Sequence, residues 1–108
     1  MAYDEVAAHR VRELITAHNP VEKRMFGGIA FMIGGNMSVG VNKEHLMVRV
    51  GPDGHDEAIS LPHARIMDFT GKPMRGWIIV EPPGYASDDD LAGWVKRGVD
   101  FARSLPPK

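Results

Sequence analysis

Two stretches of the chain combine residue types that bind anions, stack on rings or anchor a protein interface. One is Glu22-Lys23-Arg24-Met25-Phe26-Gly27-Gly28 and the other is Phe69-Thr70-Gly71-Lys72-Pro73-Met74-Arg75-Gly76-Trp77. Arginine beside an aromatic ring can serve phosphate binding, stacking or protein contact. A solvated basic turn next to a core Phe or Trp has the same composition. The candidate binding residues are therefore Lys23, Arg24, Met25, Phe26, Gly27, Gly28, Lys72, Met74, Arg75, Gly76 and Trp77.

Other chemistry is thin. The histidines are His9, His18, His45, His55 and His63, with no His-x-x-x-His pair and no cysteine anywhere. Surface or edge histidines are expected, with no metal site. Of Ser38, Ser60, Ser87 and Ser104, Ser87 suits a helix cap and none lies in a nucleophile elbow. Asp88-Asp89-Asp90 fits the positive end of a helix dipole without a cation. Gly27-Gly28 precedes a strand and no Gly-Lys-Ser/Thr follows, so it is not a phosphate loop. The expectation is a protein without catalytic residues and without a cofactor.

These residues need elements to hold them. Tyr3, Ala7, Val11, Leu14, Ile15 and His18 recur on one helical face, which Asn19-Pro20 closes. Period-two alternation predicts strands over 29–33, 37–41 and 46–50, joined by Gly34-Gly35 and by Asn42-Lys43-Glu44-His45. Such a meander is expected to bury one face and leave the other partly polar. A short helix follows from Gly51-Pro52-Asp53 to Leu61-Pro62, then strands over 65–69 and 76–80. The last helix starts at Ser87, with Leu91, Trp94, Val95, Gly98, Phe101, Ala102 and Leu105 on one side. Trp77 and Trp94 are the expected core anchors. The expected fold is α+β, in the order α-β-β-β-α-β-β-α, an antiparallel sheet with helices on one face.

Composition bounds the rest. A chain of 108 residues, 44% hydrophobic and 25% charged, is expected to form one domain over residues 1–108. A formal charge of −1 gives no basic excess for a dedicated nucleic-acid binder. The N-terminus lacks a basic, apolar leader and Ile29–Ile33 is far too short to span a bilayer. The expectation is a cytoplasmic protein with no membrane partner.

Arg24-Met25-Phe26-Gly27-Gly28, then a meander, then Gly71-Lys72-Pro73-Met74-Arg75-Gly76-Trp77, resembles the TfoX/Sxy family, as a stand-alone TfoX N-terminal domain. The segment from Trp94 to Lys108 is similar to small members of that family. The resemblance implies a secretion-chaperone-like fold and a bacterial setting. It also implies a link to transcriptional regulation of competence genes, where TfoX proteins are thought to work with a cyclic-AMP receptor protein. Full-length members carry a second, C-terminal domain; the N-terminal domain alone is expected here. No catalytic residues come with the family.

The leading expectation is a small regulatory or adaptor domain that binds protein, with a transcription regulator as a candidate partner or a second copy in a homodimer. The alternative is nucleic-acid contact through Lys23, Arg24, Lys72 and Arg75, which requires both loops on one side of the sheet. A third reading is a small-molecule-binding or enzymatic domain, with Arg24, Asp68 and Arg75 lining an anion pocket.

Overall fold

The computed structural model describes residues 3–25, 27–68 and 71–108. Helix α1 spans Glu5–Ile15, and its first turn is closed by Asp4, whose carboxylate accepts from the Val6 and Ala7 N–H groups at 2.9 and 3.1 Å. A 3₁₀ turn, Thr16–His18, carries the chain to Asn19, which takes a left-handed conformation (φ 54°) before Pro20. Four strands follow: β1 Val21–Met25, β2 Gly28–Ile33, β3 Asn36–Asn42 and β4 His45–Arg49. Helix α2 spans Gly51–Ile59, strands β5 and β6 span Ala64–Met67 and Met74–Val80, and a 3₁₀ turn covers Pro82–Tyr85. Helix α3, Asp88–Ser104, is capped by Ser87, whose hydroxyl accepts from the Asp90 N–H at 3.1 Å. No helix is long and apolar enough to cross a membrane among the described residues.

The strands form one open sheet in the order β1-β2-β3-β4-β6-β5, every neighbouring pair antiparallel. The α+β class and the helix positions agree with the sequence. The order is α-β-β-β-β-α-β-β-α, because the stretch read as a loop entering the first strand is itself a strand, β1. Val-Glu-Lys-Arg-Met is exposed along most of its length, so it carries no apolar face for periodicity to detect.

One sheet face carries Ile29, Phe31, Val39, Val41, Leu46, Val48, Ile78 and Val80. Onto it pack Ala7, Ala8, Val11 and Ile15 of α1, Ala58 of α2, and Leu91, Trp94, Val95, Val99 and Ala102 of α3. Full burial of each large aliphatic side chain here contributes about 1.5–3 kcal/mol. α3 lies close to β3 because Gly98 has no Cβ: one built there would stand 2.5 Å from the Ser38 carbonyl oxygen. Trp94 is 4% exposed and its indole N–H donates to the Gly84 carbonyl at 3.2 Å. Trp77, expected as a second anchor of this core, is half-buried and joins a different cluster on the opposite face.

Candidate functional site

Alternation along the strands sends Ala30, Met37, Met47, Met67 and Ile79 to the face away from the helices, where all are buried. Met25, Met32, Met74 and Trp77 are half-buried and pack around them. Every methionine from Met25 onward therefore belongs to one cluster, and among the described residues no helix residue belongs to it. The sequence led to a partly polar second face; instead that face is apolar at its centre. Its strand positions simply carry methionine, alanine and isoleucine.

A single row of paired residues crosses all six strands: Lys23 opposite Ala30, Ala30 opposite Gly40, Gly40 opposite Met47, Met47 opposite Ile79, and Ile79 opposite Arg65. A cation stands at each end and apolar groups fill the middle. Gly40 makes the centre possible. A Cβ at that position would lie 2.6 Å from the Ile29 carbonyl oxygen, 2.8 Å from the Met47 methyl and 3.2 Å from the Met37 methyl, so the missing side chain spares a clash with the β2 backbone and leaves room for two thioether tips.

Arg49 lies opposite Trp77. Its guanidinium carbon is 4.9 Å from the Trp77 ring centre and 5.2 Å from that of Phe101, within cation–π range of both. Arg65 is held by Glu81 at 3.1 Å. Among the described residues, none forms an ion pair with Lys23, Arg24, Arg49 or Lys72. The charged residues at strand positions on this face, Lys23, Arg49 and Arg65, are all cationic.

The structure separates the candidate residues. Met25, Met74 and Trp77 lie on the methionine cluster with Lys23 at its margin. Arg24 pairs opposite Ile29, which belongs to the helix-side core, so it faces the other way. Gly27 and Gly28 are at the end of the strands marked by Asn42, and Gly28 lies tight against the Val41 carbonyl. Lys72 and Arg75 are at the opposite end, beside the connection between β5 and β6, and at the opposite edge of the sheet. Arg75 donates to both oxygens of Asp56 at 3.2 and 3.3 Å. That hydrogen-bonded pair raises the guanidinium pKa and lowers the carboxyl pKa. Gly76 (φ 90°) donates its N–H to His55 Nδ1 at 2.9 Å. Phe26 lies outside the described residues, as do Phe69 and Thr70.

The two basic stretches thus occupy diagonal corners, and Arg24 is remote from Asp68 and Arg75. The binding residues expected from the sequence include neither Arg49 nor Arg65, whereas the flexible methionines Met25, Met32, Met37, Met47, Met67 and Met74 suit protein contact by type. The available signal was the methionine at alternate strand positions. A groove of about 320 Å³ between α1 and α3 is lined by Leu14, His18, Val95, Val99, Lys96 and Asp100. Its two charges satisfy each other at 2.6 Å.

No curated protein and no solved structure matches the chain. The profile of the TfoX N-terminal domain matches residues 13–102. That span runs from the second half of α1 through nearly all of α3 and takes in the whole sheet. The chain therefore belongs to the TfoX N-terminal domain family.

Proposed function

We propose that this domain is a small regulatory or adaptor module that binds another protein on its methionine face. The observation that carries the reading is the gathering of six methionines and Trp77 in one cluster on a sheet face, a cluster that holds no helix side chain among the described residues. Unbranched, polarisable thioethers adapt to varied partner shapes and recur at such surfaces. Lys23 and Arg49 set the partner's chemistry. It is an apolar segment flanked by Asp or Glu, which meets apolar groups at the centre and cations at the margin. Membership of the TfoX family suggests a bacterial transcription regulator, in the setting of competence, as the protein carrying that segment.

The test is to express the full chain with photo-methionine, which places a cross-linker within the face itself. Irradiation is expected to trap one defined protein through the half-buried Met25, Met32 or Met74. Met32→Asp and Met74→Asp should abolish capture, and Lys96→Glu on the outer side of α3 should leave it intact. Capture indifferent to the two Asp variants overturns the reading. Trapping of a second copy alone replaces the adaptor with a homodimer. Binding to duplex DNA that falls with salt and with Arg24→Ala and Arg75→Ala replaces it with nucleic-acid contact.

A further inference from the structure

We propose that Glu44, His45 and Glu81 form a site for a divalent transition metal of the zinc class at the end of the sheet where β4 begins. His45 Nε2 is 3.0 Å from Glu81 Oε2 and 3.6 Å from Glu44 Oε1. One donor atom from each residue lies within 4.8 Å of the other two. For ligands held at 2.0–2.2 Å around a tetrahedral ion, donors stand roughly 3.4 Å apart. The two distances to the imidazole bracket that value.

The surroundings hold the donors in place. Lys43 turns the chain with a φ of 52°, and the Glu44 carbonyl accepts from the Tyr85 hydroxyl at 2.6 Å. His45 is fixed as the first residue of β4, opposite Asn42. The N–H of Glu81 donates to the His63 carbonyl at 2.9 Å. Arg65 takes Oε1 of Glu81 at 3.1 Å and leaves Oε2 turned toward His45. An outer-sphere hydrogen bond of this kind orients a ligating carboxylate. Two carboxylates against one guanidinium leave a net negative charge for a cation.

A second observation concerns the other imidazole nitrogen. Nδ1 of His45 is buried and has no hydrogen-bond partner among the described residues. An ion on Nε2 would fix the ring proton on Nδ1, so here the ring is oriented by its enclosure and not by the outer-sphere acceptor that usually holds a ligating imidazole. With Nδ1 enclosed, the ring presents Nε2 alone to the carboxylates. One imidazole with two carboxylates suits Zn²⁺, whereas Ca²⁺ and Mg²⁺ prefer all-oxygen sets. This site adjoins the docking face proposed above through Arg65, but its test reads metal binding and not protein capture, so the two fail separately.

The experiment is a calorimetric titration of Zn²⁺ into the chelator-treated full chain, with the imidazole nitrogens followed by NMR. The expected result is saturable binding of one ion and a shift of the His45 ring signals that Ca²⁺ at the same concentration does not produce. His45→Ala and Glu81→Gln should each weaken binding at least tenfold. Glu44→Gln, at an exposed carboxylate, should also weaken it and leaves the fold intact if the other two variants unfold. Absence of saturable binding overturns the proposal, as does binding unchanged in Glu44→Gln. Binding lost in His9→Ala, which would place the ion on the His9–Glu13 pair, overturns it too.

Discussion

Two glycines on one helix provide a test of how α3 sits on the sheet. Gly93 is exposed, and a Cβ there would meet nothing within 4 Å. Gly98 is buried, and a Cβ there would stand 2.5 Å from the Ser38 carbonyl oxygen and 2.7 Å from a Val39 methyl. Replacing a helix-interior glycine with alanine gains about 0.8–1 kcal/mol of helix propensity. Gly93→Ala should realise that gain, raising Tm by roughly 4–8 °C for a domain of this size. In Gly98→Ala the same gain is opposed. The carbonyl belongs to β3 in the middle of the sheet, so relief must come from lifting α3. Opening the contact from 2.5 Å to an ordinary 3.4 Å is a shift of roughly 0.9 Å. Overpacking of this kind costs typically about 1–3 kcal/mol, for a net loss of up to about 2 kcal/mol after the propensity gain. Urea unfolding of the three proteins reads this directly, as opposite shifts in midpoint at constant slope. A Gly98→Ala protein as stable as Gly93→Ala would show that α3 does not rest on β3 at this point.

Trp94→Ala should cost about 3–5 kcal/mol in the same assay, through the cavity left by a nearly fully buried indole. His55→Ala should cost about 1–3 kcal/mol, because it removes the acceptor from the buried Gly76 N–H, and amide exchange at Gly76 should accelerate. The Arg12–Glu22 pair has a pH signature. The hydrogen bond from Arg12 lowers the Glu22 pKa below its ordinary 4.5. Its contribution is therefore full above about pH 4.5 and is lost as pH falls through the lowered folded value. Both side chains are more than a third exposed, so Glu22→Gln should cost under about 1 kcal/mol at neutral pH. Its unfolding curve should converge on that of the unaltered chain in acid.

Legibility in the sequence followed how local each signal is. α3 was readable because its cap, its acidic first turn and its apolar stripe all lie within one segment. The hairpin at Gly34-Gly35 was readable because both residues take positive φ, 58° and 82°. β1 was not, since an edge strand exposed on both sides has no period to reveal. The methionine face was half-legible: alternation announces two faces, but which one the helices cover depends on packing between distant elements. Trp77 reads as a core anchor by type, yet its register opposite Arg49 puts it at the margin of the other cluster. The Glu44-His45 and Glu81 grouping was invisible to spacing rules, because Glu81 stands 36 positions after His45 and meets it only through the pairing of β4 with β6.

The methionine face also determines how the molecule meets oxidants. With no cysteine in the chain, methionine is its sole oxidisable sulfur. Met25, Met32 and Met74, half-buried, stand between solvent and the enclosed Met37, Met47 and Met67. Peroxide therefore reaches the outer three first. Each sulfoxide places a polar oxygen on an apolar surface before the inner sulfurs are touched. Methionine sulfoxide is reducible by methionine sulfoxide reductases, so oxidation confined to the outer three is a reversible change to the face.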